Sequence, residues 1–428
     1  MPIEHERVLT FVKSLLQSYS LDEFRERLRP RHDAPPARIP GGASVSTPAI
    51  ERRLKLLNAS SEARDVLADP ATLASASLYQ KNIEHLIGTL KIPVGIAGPL
   101  RVNGLFALGD YYIPLATTEA ALVASYSRGA ELLTAAGGCA AVTLSEGVGR
   151  APGFAFASLS DAGAFAAWAA MQQDHFRREC ATTTSHGSLQ GVRTTIEGNH
   201  VYLHFEFLTE DASGQNMATI ATDAICKFIE SHSPIRPQYW FVEANFSGDK
   251  KASALSFLGV RGRKVSAEAT LPSSLVEQRL RTTPARMVDY WRMAALGGVM
   301  SGTIGVHGHF ANGLAAVYLA CGQDVAAVAE SATGVTRFEV CPNGDLYAAV
   351  TLPNLLVGTV GGGTALPSQK ACLSLMGLAG TGHTRPFGEL CAALCLAGEL
   401  SIIGALCAGE FVRAHQKLAR GKSAAVPK

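Results

Sequence analysis

Charge is scarce in this chain of 428 residues: Asp, Glu, Lys and Arg make up 17% of it, and 38 basic against 36 acidic residues leave a formal net charge of +2. Phosphate backbones call for a concentrated basic face, so a nucleic-acid partner has no electrostatic support. The nine cysteines are odd in number and show no C-x-x-C spacing, which argues against a disulfide framework and against a zinc site, so no metal is expected. Long apolar runs are also missing. The nearest, CAALCLAGELSIIGALCAGEFV at 391–412, is broken by Glu399 and Glu410 and reads as a buried core helix, not a membrane span. At the N-terminus, Glu4, Glu6 and Lys13 fall where a secretory signal would need apolar residues, so a cytoplasmic protein is expected. No G-x-G-x-x-G, G-x-S-x-G or H-E-x-x-H occurs, and Gly421-Lys422-Ser423 lacks the earlier glycine of a phosphate loop, position 416 being Gln.

What the chain does have is 47% hydrophobic residues and 42 glycines, the profile of a compact enzyme long enough for two or three structural units. The first thirty residues read as two short helices, the second announced by a capping box of Ser20 and Glu23. RPRHDAPPARIPGGASVS at 29–46 reads as a linker or extended arm, and Thr47-Pro48 opens another helix. Between 92 and 115, short apolar runs separated by Gly-Pro and Asn-Gly turns predict strands and a hairpin. From about 152 to 242, helical FAAWAAMQQDHFRREC, alternating RTTIEGNHVYLHFEFL and helical NMATIATDAICKFIESH predict a small α+β unit inserted into a larger one.

Several polar residues stand out against small-residue surroundings. Glu119, in IPLATTEAALVASYSRG, reads as a carboxylate at the strand-to-helix entry of a buried helix, costly there unless paired or kept protonated. Asp324, in YLACGQDVAAVA, reads as a lone carboxylate in an apolar helix, for which a lysine is the natural counter-charge. The turn NFSGDKK at 245–251 is suited to presenting an ammonium, although Asp-Lys-Lys on a loop is also ordinary solvated charge. GTVGGGT at 358–364 permits close approach of a ligand to backbone or the nesting of an anion, and a tight structural turn would use the same letters. Asp211 and Ser213 precede a helical pattern whose amides are suited to a phosphate, and an ordinary N-cap accounts for them nearly as well.

In order and in register, IPVGIAGPL, PLATTEAALVAS, DASGQN, SGDKK, GQD, GTVGGGT and AGEFVRAH resemble the 3-hydroxy-3-methylglutaryl-CoA reductases, in particular the soluble prokaryotic form related to the eukaryotic catalytic domain, over about 47–420. The resemblance implies an α+β fold: a small N-terminal helical segment and linker (1–46), a large central helix-rich domain (47–151 and 243–428), and an inserted ferredoxin-like α+β cofactor-binding domain (152–242). It implies two hydride transfers from NADPH, with NADH possible, to a CoA thioester, passing through a hemithioacetal and an aldehyde to mevalonate and free CoA. On this chain Lys250 would stabilise each oxyanion, Glu119 would donate protons, Asp324 would couple the two, and His415 would protonate the departing thiolate. Substrate and CoA would be held by Ser125, Arg128, Arg150, Asp249, Lys251, Arg292, His309 and Asn312, and the nicotinamide nucleotide by Asp211, Ser213, Gly214, Gln215, Asn216, Asn245, Gly361, Gly362 and Gly363. The active site would form between two protomers, implying a homodimer or larger assembly.

Some positions depart from the family pattern. TTTSHGSL at 182–189 lacks the arginine that eukaryotic members place near the cofactor's extra phosphate. Glu243 stands where serine is common, and Arg292 replaces a lysine. His85 interrupts a Glu-Asn pair, leaving Glu84, and Gly421 stands where a regulatory serine would follow the histidine. Two alternatives stay open at this level: a reductase of another 3-hydroxyacyl-CoA, and a CoA-ester-binding homologue without turnover.

Overall fold

The computed structural model describes residues 3–31 and 37–410; His415 and the rest of 411–428 lie outside them. Two compact units are present, residues 1–89 and 90–428.

The first unit is helical: α1 (Ile3–Ser18), α2 (Leu21–Leu28), α3 (Thr47–Leu56), α4 (Ser61–Leu67) and α5 (Pro70–Ala74). The capping box forms at α2, with Ser20 and Glu23 satisfying each other's backbone N–H groups, and a proline opens α3. Residues 37–46 have no regular structure but are tied down. The buried Arg53 guanidinium of α3 donates to the carbonyls of Pro40, Gly42, Ser44 and Leu86 at 2.7–3.0 Å, so its burial leaves no donor stranded.

The second unit is a mixed α/β structure built on a largely antiparallel sheet. Its elements are β1 (Val94–Gly104), β2 (Leu108–Ala116), α6 (Leu122–Ala135), β3 (Cys139–Arg150), β4 (Gly153–Ala155), α7 (Leu159–Ala170), α8 (Gln173–Thr183), β5 (Ser188–Glu197), β6 (His200–Leu208), α9 (Gln215–His232), β7 (Tyr239–Phe241), β8 (Gly262–Leu271), α10 (Ser273–Leu280), α11 (Pro284–Ser301), α12 (Phe310–Cys321), α13 (Val328–Ser331), β9 (Val335–Val340), β10 (Leu346–Leu355), α14 (Pro367–Leu375) and α15 (Thr384–Cys407). Strand order is β7-β4-β6-β3-β8-β10-β9, with β5 beyond β6 and the β1–β2 hairpin joined to β3. The twelve-residue β3 links two regions: residues 140–147 pair with β8, while 148–150 pair with β6. The expected hairpin at 92–115 is present. Gly98-Pro99, however, is not a turn; it lies inside β1 at a register shift between Ala97 and Leu100, where the irregularity accommodates a residue without an N–H.

Helix α15 is the one helix among the described residues long and apolar enough to cross a membrane, and it is packed inside the unit with 89% of its most apolar window buried. Its contact with α6 depends on Gly129, where a Cβ would stand 1.8 Å from the carbonyl oxygen of Ala397. Its two buried carboxylates are satisfied by N–H donors: Glu389 accepts from Phe106, Ala107 and Thr143, and Glu399 from Gly308 and His309. All nine cysteines are free thiols and eight are buried. No metal-binding cluster of His, Cys, Asp and Glu exists among the described residues.

Candidate active site

The loop after β7 carries the ammonium. Asn245, Gly248 and Lys250 have φ of 62°, 74° and 56°, so three of six consecutive residues are left-handed, two of them without being glycine. Lys250 is held in that conformation by its own N–H, which donates to Glu330 Oε1 at 3.2 Å. Its Nζ lies 2.9 Å from Asp324 Oδ2, and both side chains are about two-fifths exposed (42% and 38%). The counter-charge expected for Asp324 is thus found. Its location differs from expectation, because Gly322, with φ of 69°, ends α12 before Asp324 is reached. A Cβ on Gly322 would also stand 2.4 Å from the Gly363 carbonyl oxygen. Asp324 instead caps the short turn that follows, accepting from Ala326 N–H at 3.0 Å.

Glu119 is not in a buried helix either. It sits in the loop between β2 and α6, which starts only after the left-handed Ala121, and its N–H donates to Thr117 Oγ1 at 3.0 Å. Within one chain its carboxylate is exposed. It accepts from Asn312 Nδ2 at 3.3 Å and borders a cavity of about 420 Å³ lined also by Thr117, Leu122, Ala315 and Leu319. Leu122, Ala315 and Leu319 give it an apolar neighbourhood, but within a single chain nothing encloses it, so the burial expected for it is absent.

A buried ionic lattice that sequence reading missed supports the Lys250 loop. Arg261, 4% exposed, donates to Glu330 Oε2 and Asp249 Oδ1, each at 2.6 Å, and to the Gly149 carbonyl oxygen. Arg150 donates to Asp249 Oδ2 at 2.8 Å and to Glu243 Oε2 at 3.4 Å, so Glu243 acts as a counter-charge where serine is usual. Burial pushes the Asp249 carboxyl up, but Arg261, Arg150 and Lys250 outweigh it and hold it below its ordinary range. Burial dominates at Glu330 and raises its carboxyl despite Arg261. The sequence carries a signal for Glu330: a lone carboxylate in AVAESATG repeats the pattern of Glu119 and Asp324. Lys251 Nζ donates to the Asp249 carbonyl at 2.7 Å. Arg292 is exposed on α11 and pairs with Asp289 at 3.4 Å, with no described contact to the other candidates.

Three expected residues, two from α6 and one at the start of α12, meet α15. Ser125 Oγ lies 2.9 Å from Ser401 Oγ, and Arg128 donates from Nε and Nη2 to the same hydroxyl at 3.1 and 3.0 Å. His309, at the N-terminus of α12, stacks on Tyr126 with ring centroids 5.4 Å apart.

Asp211 does not cap α9. Its carboxylate receives the N–H groups of Gly382 at 2.8 Å and Thr384 at 3.3 Å, ahead of α15. Burial raises its carboxyl, yet these donors and those of the Thr384 hydroxyl bring it below the ordinary value. Helix α9 instead starts at the left-handed Gly214, with no side chain capping it, and leaves its first amides unclaimed by Ser213 or Asn216. Gln215 follows with a buried Nε2 that has no partner among the described residues. Gly358 runs against 211–213, and at Gly361 and Gly362 a Cβ would meet nothing within 4 Å, whereas at Gly363 it would meet the Gly322 carbonyl. Segments 211–216, 322–324 and 358–363 are therefore gathered at one place.

The family model described as hydroxymethylglutaryl-coenzyme A reductase matches residues 49–420. The chain is 44% identical to the 3-hydroxy-3-methylglutaryl-coenzyme A reductase of Pyrococcus horikoshii, over 80% of this chain and 84% of that one. Its identity to the enzyme of the same name from Aeropyrum pernix is 41%, covering 88% and 94% of the two chains. In fold it is similar to the class II 3-hydroxy-3-methylglutaryl-CoA reductase from Streptococcus pneumoniae solved bound to NADPH, with a TM-score of 0.64 at 18% identity, covering 83% of this chain and 96% of that one. With the full run of motifs in register and relatives above 40% identity along most of its length, this chain belongs to the hydroxymethylglutaryl-coenzyme A reductase family.

Proposed function

We propose that the protein reduces 3-hydroxy-3-methylglutaryl-CoA to mevalonate and CoA with two equivalents of reduced nicotinamide. The observation that carries the reading is the Lys250 ammonium, 2.9 Å from Asp324, on a strained loop braced by buried charges. A fixed cation at a carbonyl stabilises the oxyanion formed at each reduction, often the largest single contribution to such a rate. Asp324 pairs with that ammonium and orients it, while Arg150, Asp249 and Lys251 flank the position of the acyl group, and Glu119, bonded to Asn312, supplies protons. His415 is assigned the thiolate on sequence alone.

A bound nicotinamide supplies the hydride. Its dinucleotide would lie where the uncapped α9 N-terminus, the unpartnered Gln215 amide and the space above Gly361 and Gly362 converge, with Asp211 to Asn216, Gly363 and Asn245 at its border. NADPH is the proposed form. Residues 152–242 form the proposed ferredoxin-like insert within the substrate domain of 47–151 and 243–428: the order β4-α7/α8-β5-β6-α9-β7 is a βαββαβ pattern, and its strands run β7-β4-β6-β5 across the sheet. Nine free cysteines accord with a reducing, cytoplasmic setting.

The site is assigned to the interface of a homodimer. Glu119 is bonded to Asn312, near the start of α12, and Asp324 follows its end, so about 14 Å of helix separates the two carboxylates at 1.5 Å per residue. One copy thus holds the proton donor and the ammonium at opposite ends of a helix, and a second copy is needed to join them. Helix α11 offers an exposed apolar stripe for it, with Met293, Leu296, Val299 and Met300 exposed by 66–83%, and Arg292 beside the stripe.

The test has two parts. Purified protein given the thioester should consume two reduced nicotinamides per thiol released; no consumption of either cofactor would end the reading. Glu119→Gln and Lys250→Met should each be inactive alone and regain activity when subunits are exchanged between them. Lack of recovery in proven mixed dimers would place both groups in one chain.

A further inference from the structure

Helix α15 is a core helix, yet two polar side chains two positions apart on it, Glu399 and Ser401, reach different neighbours. Glu399, 0% exposed, accepts N–H groups from Gly308 at 2.7 Å and His309 at 2.9 Å and the Thr336 hydroxyl at 2.8 Å. It also lies 3.4 Å from His309 Nδ1. Burial pushes this carboxyl up, but the His309 ring and the backbone donors outweigh it and hold it below the ordinary 4.5. An ionised carboxylate only accepts, so Nδ1 donates to it and Nε2 is the ring nitrogen left for a ligand, a donor to a phosphate oxygen in the imidazolium form.

Ser401 is likewise fully buried. Its hydroxyl meets Ser125 Oγ and the Arg128 Nε and Nη2, and its carbonyl oxygen accepts Nη2 at 2.7 Å. These hydrogen-bond partners of Arg128 are all neutral, and Glu410 acts on the guanidinium only through space. Burial lowers the affinity of Arg128 for its proton, as expected for a cation withdrawn from water without a carboxylate bonded to it. Such a group is completed by an anion, and a guanidinium fixed by neutral oxygens keeps its charge available for a phosphate.

The geometry points to Glu399 and Ser401 as positioning residues for the nucleotide half of the substrate: from α15 they set His309, Ser125 and Arg128 to receive the phosphates of a CoA thioester. The inference rests on the reading that those three residues lie on the CoA side of the proposed site.

It is tested by steady-state kinetics with two substrates, the CoA thioester and the same acyl group on pantetheine, which lacks the nucleotide. Ser401→Ala is expected to raise KM for the CoA thioester by about tenfold, the loss of a hydrogen bond to a charged group, with kcat changed by less than about twofold. KM for the pantetheine thioester and for the nicotinamide should not move. Ser401→Thr, which keeps a hydroxyl, should restore most of the CoA affinity. Glu399→Gln should show the same substrate pattern, raising KM for the CoA thioester and not for the pantetheine thioester, because the His309 ring loses its charged hydrogen-bond partner. If that variant does not fold, Ser401→Ala decides alone. Equal increases for both thioesters, or a loss confined to kcat, would overturn the proposal and leave α15 a packing element. An Arg128→Ala control that fails to distinguish the two thioesters would overturn the CoA-side reading itself.

Discussion

Removing the Glu330 carboxylate should loosen the Lys250 loop from beneath. Glu330 is 0% exposed and makes two kinds of contact: an ion pair with Arg261 at 2.6 Å and acceptance of the Lys250 N–H at 3.2 Å. Glu330→Ala strands a guanidinium that is 4% exposed with Asp249 as its remaining bonded carboxylate. Breaking a buried pair from one side costs about 3–5 kcal/mol, and because Asp249 stays, the lower end, about 3 kcal/mol, is expected. That is about a hundredfold in the folding equilibrium. The freed N–H then no longer offsets the left-handed strain at Lys250, about 1–3 kcal/mol, so the ammonium should sample other positions and kcat should fall. Glu330→Gln separates the effects: it can keep an acceptor for the N–H while losing the charge, so it should lose stability yet retain more kcat than the alanine variant. Urea unfolding midpoints and kcat for the wild type and both variants provide the assay. If both variants match the wild type in midpoint and turnover, the ionic lattice does not hold the loop and the reasoning is wrong.

Lys250→Met should lower kcat by at least about a hundredfold while changing stability by less than about 1 kcal/mol, since its pair with Asp324 is partly exposed; a variant that loses activity only by unfolding would contradict this. Gly129→Ala places a Cβ 1.8 Å from the Ala397 carbonyl oxygen, so overpacking should destabilise the protein by about 1–3 kcal/mol or more. By moving α6 from α15 it should also raise KM for the CoA thioester; an unchanged melting temperature would show that the helices can part freely. Acid should unfold the protein through Glu399, Asp249, Asp211 and Glu146, whose folded carboxyls are all held below their ordinary values. Their contribution is complete above the unfolded values and is lost as pH falls through the depressed folded ones, so stability should decline from about pH 5 downward. Glu330, raised by burial, has the opposite sign and favours folding as it protonates; a midpoint flat down to about pH 2 would refute the balance.

Local chemistry in the sequence determined much of what is observed. Ser20 and Glu23 mark a helix start because they satisfy each other's orphan groups. The alternation through 200–208 marks a strand because Val201, Leu203, Phe205 and Phe207 are buried on one face, and Glu399 inside the apolar run marks a core helix because protein N–H groups can solvate it where lipid cannot. The motifs also named the ammonium and its counter-charge, Lys250 and Asp324.

Burial of individual carboxylates was less legible. Glu119 and Asp324 look alike in composition to Glu330 and Glu399, but the first two lie on turns ended or started by left-handed residues, and the last two are enclosed by segments 63 to 91 residues away in the chain. Sequence composition reports the neighbours along the chain, whereas desolvation and ion pairing depend on neighbours through space. The candidate reacting groups are therefore written in the motifs, while the Arg261 lattice, the rerouting of Asp211 to α15 and the clamping of Ser125, Arg128 and His309 were decided only when distant strands and helices packed and their polar groups had to find partners away from water.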